Sequence, residues 1–402
     1  MHNNGFAMIK KYLVLFTAVF SIALYAQDPE KTNGEQLGGS PIGGSRGYTL
    51  SLSKPESVLN TGLAKNLRFT IHDGNLVSGG VINTGLLAYH YVGGSPMMSW
   101  PKGATSVQYL HSGVFYVGAE VIDERGDTIH IVSDNYRRGG EIALDQSHFY
   151  GFGALPKYFN GNQTNAVTYD IGGINEDVGK DTYPNTKDEG EGDGILQPEE
   201  DFNGNGTLDR SMINRTGWFA ISHRRETWPT DWPAGSFPGD TRSEGDNAPS
   251  VRMGRWNGEF GSYIRSDQES YYVLDDREND EFNYYPFTDS LSRLKWPNGR
   301  RGLGITTSVR NYQWSSRLAE DLLISIYDIE NKGKDLTKAV VGMYVDPDIG
   351  GSLSGDDANF DNVDDITYAY NKSGLSSNGL PIGYFGFAFL ESPGLAEDKI
   401  DN

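Results

Sequence analysis

The side chains in this chain best equipped for chemistry are hard oxygen donors, and they cluster. Residues 188–209, DEGEGDGILQPEEDFNGNGTLD, set carboxylates and amides close together with glycines between them. Such spacing suits a cation loop with ligands at positions 1, 3, 5, 7 (a carbonyl), 9 and 12 and a glycine at 6 for the sharp turn. Counting from Glu189 puts Glu191 at 3, Asp193 at 5, Gly194 at 6, the Ile195 carbonyl at 7, Gln197 at 9 and Glu200 at 12. Counting from Asp201 puts Asn203 at 3, Asn205 at 5, Gly206 at 6, Thr207 at 7 and Asp209 at 9. The first loop departs from the template in using the longer Glu at its tight positions and in carrying Pro198. The second is the closer match, although Met212 stands where the bidentate Glu would be. Oxygen donors of this kind favour Ca²⁺ over a transition metal. The competing reading is a solvated acidic loop.

A second acidic stretch, VDPDIGGSLSGDDANFDNVDDITYAYN, ends one strand with Asp346 and Asp348 and continues through Asp356, Asp357, Asp361, Asp364 and Asp365. Carboxylates packed this densely repel one another unless a cation or water screens them. A calcium staple is expected here too, with a wet loop as the alternative.

Catalytic constellations are missing from the pattern. HExxH, G-x-S-x-G and P-loop motifs do not occur. The histidines are dispersed; His72, His90, His111, His130 and His148 lie in or beside strand-like runs, which suits structural roles. Among the many acids, Glu259 and Asp231 are the least poor glycosidase candidates, on weak grounds. Trp228, Trp232 and Trp256 fall within 29 residues beside Pro and Gly. They form either an aromatic platform for a sugar or peptide, or a core plug beneath a long loop.

The elements that must position these groups read as β. Aromatics make up 12 % of the 402 residues, and 51 glycines imply many turns. The run SVQYLHSGVFYVGAEV alternates, with Phe115, Val117, Ala119 and Val121 on one face; Glu124-Arg125-Gly126-Asp127 turns it back into Thr128–Val132. Further strands are expected around Asp73-Gly74, in WFAISHRRETW, SYYVLDD and GLGITTSVRNYQW, and in PIGYFGFAFLESPG. Asn331-Lys332-Gly333-Lys334 is expected to close a hairpin between two apolar runs. SRLAEDLL offers one helical turn or none. The expected fold is mainly β, with antiparallel sandwich-like domains at 48–187 and 213–394 flanking the acidic loops at 188–212. A flexible linker is expected at 27–47, and an acidic tail at 395–402 that suggests a fragment of a longer chain.

The N-terminus carries an address. Lys10 and Lys11 precede the apolar run Tyr12–Ala26, followed by Gln27 and Asp28, the layout of a secretory signal cut after Ala26. The run is short for a membrane span. Removing residues 1–26 takes away two lysines and no acid, moving the net charge from −20 to −22. Such a chain is a poor partner for nucleic acid or an anionic membrane. It suits cations, with cell-surface or glycan ligands as further candidates. Without cysteine, an exported chain of this size relies on its core or on metals for stability.

Two resemblances follow from these residues. The stretch 188–209 resembles the calcium loops of dockerins and thrombospondin type 3 repeats, which implies that Asp209 at position 9 helps to close the second loop. The blocks WPKGATSVQYLHSGVFYVGAEV, LLISIYDIENKGKDLTKAVVGMYVDPDIGG, DDITYAYN and LPIGYFGFAFLESPG resemble the N-terminal part of large uncharacterised secreted bacterial proteins of the type IX secretion kind. That likeness, spread over roughly 70–394, implies an exported, β-rich, surface-associated protein. It transfers no catalytic residue, and no sorting domain is visible to fix the export route.

Overall fold

The computed structural model describes residues 11–21, 66–88, 97–134, 151–163, 168–173, 189–199, 212–277, 284–287, 302–351 and 355–391, with single residues between them. For 11–21, 168–173 and 212–216 the backbone alone is described. The chain is mainly β; among the described residues there are three antiparallel sheets and no closed barrel.

The strands, in chain order, are β1 (Lys11–Ser21), β2 (Phe69–His72), β3 (Gly79–Ile82), β4 (Leu86–Leu87), β5 (Met98–Trp100), β6 (Val107–Ile122), β7 (Thr128–Ser133), β8 (Gly153–Ala154) and β9 (Thr168–Gly173). They continue as β10 (Met212–Thr216), β11 (Gln268–Asp275), β12 (Ile305–Gln313), β13 (Leu322–Asn331), β14 (Ala339–Pro347), β15 (Asp356–Asp361), β16 (Ile366–Asn371) and β17 (Tyr384–Glu391). One sheet runs in the order β15-β16-β17-β1-β13-β12-β11-β8. Another runs β14-β6-β4-β3-β2, with β5 and β7 also paired to β6. Strands β9 and β10 form a separate ribbon.

The two large sheets share one core. Phe115 of β6 stacks on Tyr327 of β13 with ring centroids 4.5 Å apart, and Phe152 lies against the same Phe115 ring at 5.4 Å. The alternation read in β6 is realised: Phe115, Val117, Ala119 and Val121 are buried, whereas Tyr116, Gly118 and Glu120 are partly exposed. β13 alternates likewise, burying Leu323, Ser325, Tyr327 and Ile329. A sheet with one face on the core and the other facing water produces this pattern. The turn between β6 and β7 is held by Asp123, whose Oδ1 accepts the Arg125 and Asp127 N–H groups at 2.8 and 2.9 Å, while Gly126 takes φ +90°.

Several expectations change. Strands pair across the boundary drawn between two β domains: β14 joins β6, and β8 joins β11. The halves therefore share sheets and a core. Asn331–Lys334 is a turn, with Asn331 Oδ1 accepting the Gly333 N–H at 2.8 Å, but it closes no hairpin. Both edges of β13 are already taken, by β12 and β1, so β14 crosses to the other sheet. WFAISHRRETW is an irregular segment with isolated bridges and a 3-10 turn at Arg225–Thr227. There Trp218 packs under Arg224, and Thr227 Oγ1 accepts the Ile221 N–H at 3.0 Å. The stretch read as a second acidic loop is largely the β15–β16 hairpin.

The apolar run at the N-terminus, read as an export leader, contributes β1 to the middle of its sheet. A leader core and an interior strand both suit an apolar run, so the pairing describes where the run lies while attached.

Candidate calcium-binding loops

The first acidic stretch belongs to an excursion closed at its base by the β9–β10 ribbon, where Met212 pairs with Gly173. Residues 189–194 form successive turns and bends, and 198–199 turn again. Gly190, Gly192 and Gly194 have φ of +98°, +76° and +79°, which a side chain would resist. Gly194 is the position-6 glycine of the loop counted from Glu189. Asp193 Oδ1 accepts the Ile195 N–H at 2.7 Å, and its Oδ2 accepts the Gln197 amide at 3.1 Å. A buried residue that the spacing did not single out anchors the loop from outside. Asp177 Oδ1 accepts the Gly194 N–H at 3.2 Å, and its carbonyl accepts that of Gly192 at 3.4 Å. The backbone of Glu189 is tied in turn to the Lys180 N–H at 3.0 Å. Nothing in the local sequence around Asp177 marks it, because its partner lies 17 residues away.

Glu189, Asp193 and the Ile195 segment are exposed, and Glu191 is half-buried. Glu200, Asp201, Asn203, Asn205, Thr207 and Asp209 lie outside the described residues. Gly206, position 6 of the second loop, is described and has φ +70°, the left-handed turn that position requires. Among the described residues, no three Asp, Glu, His or Cys side chains converge as a ready-made metal cage. A cation at either loop would have to gather its ligands as it binds.

The second acidic region divides into parts. At the end of β14 a register shift between Asp346 and Pro347 bulges the ladder, after which the Asp348 and Gly350 N–H groups still donate to the Tyr109 and Gln108 carbonyls at 3.1 and 2.8 Å. Asp346 Oδ2 lies 3.5 Å from His111 Nδ1. Asp348 Oδ2 accepts a hydrogen bond from Gln108, whereas its Oδ1 is buried without a hydrogen-bond partner. Asp356, at the start of β15, accepts the Ile349 N–H at 3.1 Å and the Asn371 amide at 2.8 Å. The Asp348 carboxyl is pushed above its ordinary range, first by burial and then by the nearby charges of Asp356 and Asp346; Gln108 and His111 pull it down. The remaining acids point to other tasks. Asp357 pairs with Lys372 at 2.9 Å, and Asp361 caps the hairpin tip by accepting the Val363 N–H at 2.8 Å. The length of β15, about 17 Å at ~3.4 Å per residue, separates that tip from Asp356. Among the described residues, Asp346 and Asp356 lie near enough to Asp348 for their charges to act on it, at one corner, without converging as a ready-made set of ligands.

The tryptophan platform is overturned by burial. Trp232 and Trp256 are 1 % and 2 % exposed. They pack edge-on to each other and against Phe237 and Tyr271. Their indole N–H groups donate inward, to the Arg255 carbonyl at 2.8 Å and to Glu269 Oε2 at 2.7 Å. Trp228, half-buried, donates to the Ile221 carbonyl at 2.9 Å. These rings form a satellite core under the long 217–267 segment. The two carboxylates weighed as glycosidase acids are also held internally. Asp231 pairs with Arg242 at 2.8 Å and caps the Ser250 N–H, while Glu259 accepts from Tyr312 Oη at 3.2 Å.

His72 and Ser270 form a buried pair, Nε2 to Oγ at 2.8 Å. Both are fully enclosed, and burial lowers the His72 pKa to about 3. The pair belongs to a polar spine: Ser270 Oγ accepts from Asn311, whose Oδ1 accepts from Ser325. A hydroxyl with no access to substrate is structural.

In comparison with known proteins, no protein-family model matches the chain, and neither the curated proteins nor the solved structures yield a significant match. No helix among the described residues is long and apolar enough to cross a membrane.

Proposed function

We propose that this is an exported structural or adhesive protein of the cell surface or extracellular space, with its β fold pinned by Ca²⁺ at its acidic turns. The observation that carries this reading is the Asp346, Asp348 and Asp356 corner, where a buried carboxylate oxygen is left without a donor beside two further carboxylates. A divalent cation offsets both the repulsion and the desolvation of such a group. The glycines of the 189–199 loop and Gly206, held at positive φ, supply the turns that further Ca²⁺ ions need earlier in the chain. A chain of net charge −20 without cysteine has reason to use cations as its cross-links. Export rests on the leader-like run Tyr12–Ala26, and a type IX route on the resemblance alone.

Thermal melts of the exported protein in Ca²⁺ and in chelator test the reading. Binding that favours the folded state raises the melting temperature with ligand concentration. The rise is expected to shrink in Asp348→Asn and in Asp201→Ala, each reporting one region. A melt that ignores both Ca²⁺ and chelator would remove the calcium role.

A further inference from the structure

We propose that removal of the leader opens a strand-wide slot between β13 and β17, and that the slot takes up the N-terminal arm of a second copy of this chain. The inference rests on the export reading above.

β1 is an interior strand. It pairs antiparallel with β13 from Lys11↔Glu330 to Val19↔Leu322, and with β17 from Leu15↔Glu391 to Ser21↔Tyr384. The same residues are the apolar run whose sequence marks it for cleavage after Ala26. Taking them away leaves β13 and β17 facing each other across a gap of about 10 Å, two inter-strand spacings. Each then presents a row of backbone N–H and C=O groups without partners, a ready template for another strand. The rims are not polar loops. β13 buries Leu323, Tyr327 and Ile329 on its core face, and β17 buries Phe385 and Ala388. An open slot would expose the edges of this core, so it favours an extended segment alternating between apolar and polar residues. Backbone pairing supplies the affinity and alternate side chains the selectivity.

The chain carries such a segment. After the cut, residues 27–47 are polar and glycine-rich, and Tyr48-Thr49-Leu50-Ser51-Leu52-Ser53 then alternates strictly. Between Ser53 and Asn66, where the described fold resumes, lie 12 residues. They can extend about 40 Å at ~3.3 Å per residue, enough to reach onto an adjoining subunit. The arm enters the body at β2, the end strand of the other large sheet, whereas the slot lies inside the β1 sheet. Donation to a neighbour joins these two different surfaces head to tail. Repeated, it builds a chain of subunits rather than a closed pair, which suits a structural role outside the cell.

The test compares the chain with its leader, residues 1–402, with the exported protein, by light scattering and by the mass of the N-terminus. The precursor, its slot filled by β1, is expected to be monomeric; the cleaved protein is expected to form oligomers. A synthetic peptide of residues 11–21 with added terminal lysines is expected to return those oligomers to monomers. Leu50→Asp is expected to do the same from the donor side. Because the chain has no cysteine, Leu50→Cys and Ile324→Cys can be placed in differently tagged copies and oxidised after mixing. A disulfide between the two tags supports donation. A cleaved protein that stays monomeric overturns the proposal, and so does a double variant whose only disulfide is internal, since its own arm then fills the slot. An exported protein whose leader is intact by mass refutes the export reading instead.

Discussion

Asp276 offers a sharp measurement of what the core tolerates. It is fully buried, and each carboxyl oxygen accepts two hydrogen bonds: Leu303 N–H at 2.6 Å and Ser133 Oγ at 2.9 Å on Oδ2, Gly304 and Ile305 N–H at 3.1 and 2.9 Å on Oδ1. Burial, and then the charge of Asp275, push its pKa from 3.8 up to about 7, against the pull of Leu303, Ser133 and Ile305. In the folded chain it therefore keeps its proton over a range in which the unfolded chain has released it. Stability from this group is full below the unfolded value and is lost as pH rises through about 7. The rise corresponds to about 4 kcal/mol at 1.36 kcal/mol per pH unit. Asp276→Asn cannot titrate, and the mismatch of its amide with the surrounding donors is independent of pH, so only the slope matters. Urea unfolding of both proteins is the assay, in small pH steps from about 4 to 7.5. Wild type minus variant is expected to fall by about 4 kcal/mol across that window. If the difference is flat, or grows with pH, the four donors outweigh burial and the group is an anion in the fold throughout.

Three further outcomes follow from the core. His72, its pKa lowered to about 3 by burial, adds stability that is present above about 6.5 and is lost as pH falls through about 3. His72→Gln, compared with wild type by acid titration of denaturant midpoints, is expected to remove an acid-side loss of up to about 5 kcal/mol. Phe115→Ala empties the stack on Tyr327 and Phe152 and is expected to cost about 3–5 kcal/mol in chemical denaturation. Trp256→Phe removes the indole donor from the buried Glu269. It is expected to cost about 1–3 kcal/mol, a loss that retaining most of the ring volume does not prevent.

How much of this was legible beforehand depends on the range of the interaction. β6 and its turn into β7 were readable because alternation and the Asp123–Asp127 turn are local. β11 and β12 were readable from their aromatic and β-branched content instead, since both are buried nearly throughout and do not alternate. Gly194 and Gly206 fell where the loop template placed them, since backbone φ is a property of one residue. Asp177 was invisible, as it grips a loop 17 residues away. Trp232 and Trp256 were ambiguous because an aromatic side chain serves a ligand platform or a core equally well. The acceptors that decided for the core, Arg255 and Glu269, could be assigned only once the long segment was folded over them.

The amino-acid order by itself establishes a β protein with turn-rich, acidic, glycine-punctuated loops, a leader-like apolar run and no disulfide. Each of these follows from side-chain type and short spacing. The folded arrangement assigns the partners: β14 to β6 instead of β13, Asp356 to the corner of Asp346 and Asp348, and the leader-like run to the gap between β13 and β17. The physical reason is that a period of two specifies which face of a strand is buried but not which strand lies beside it. Every strand offers the same backbone donors and acceptors, so the neighbour is selected by packing across the whole core.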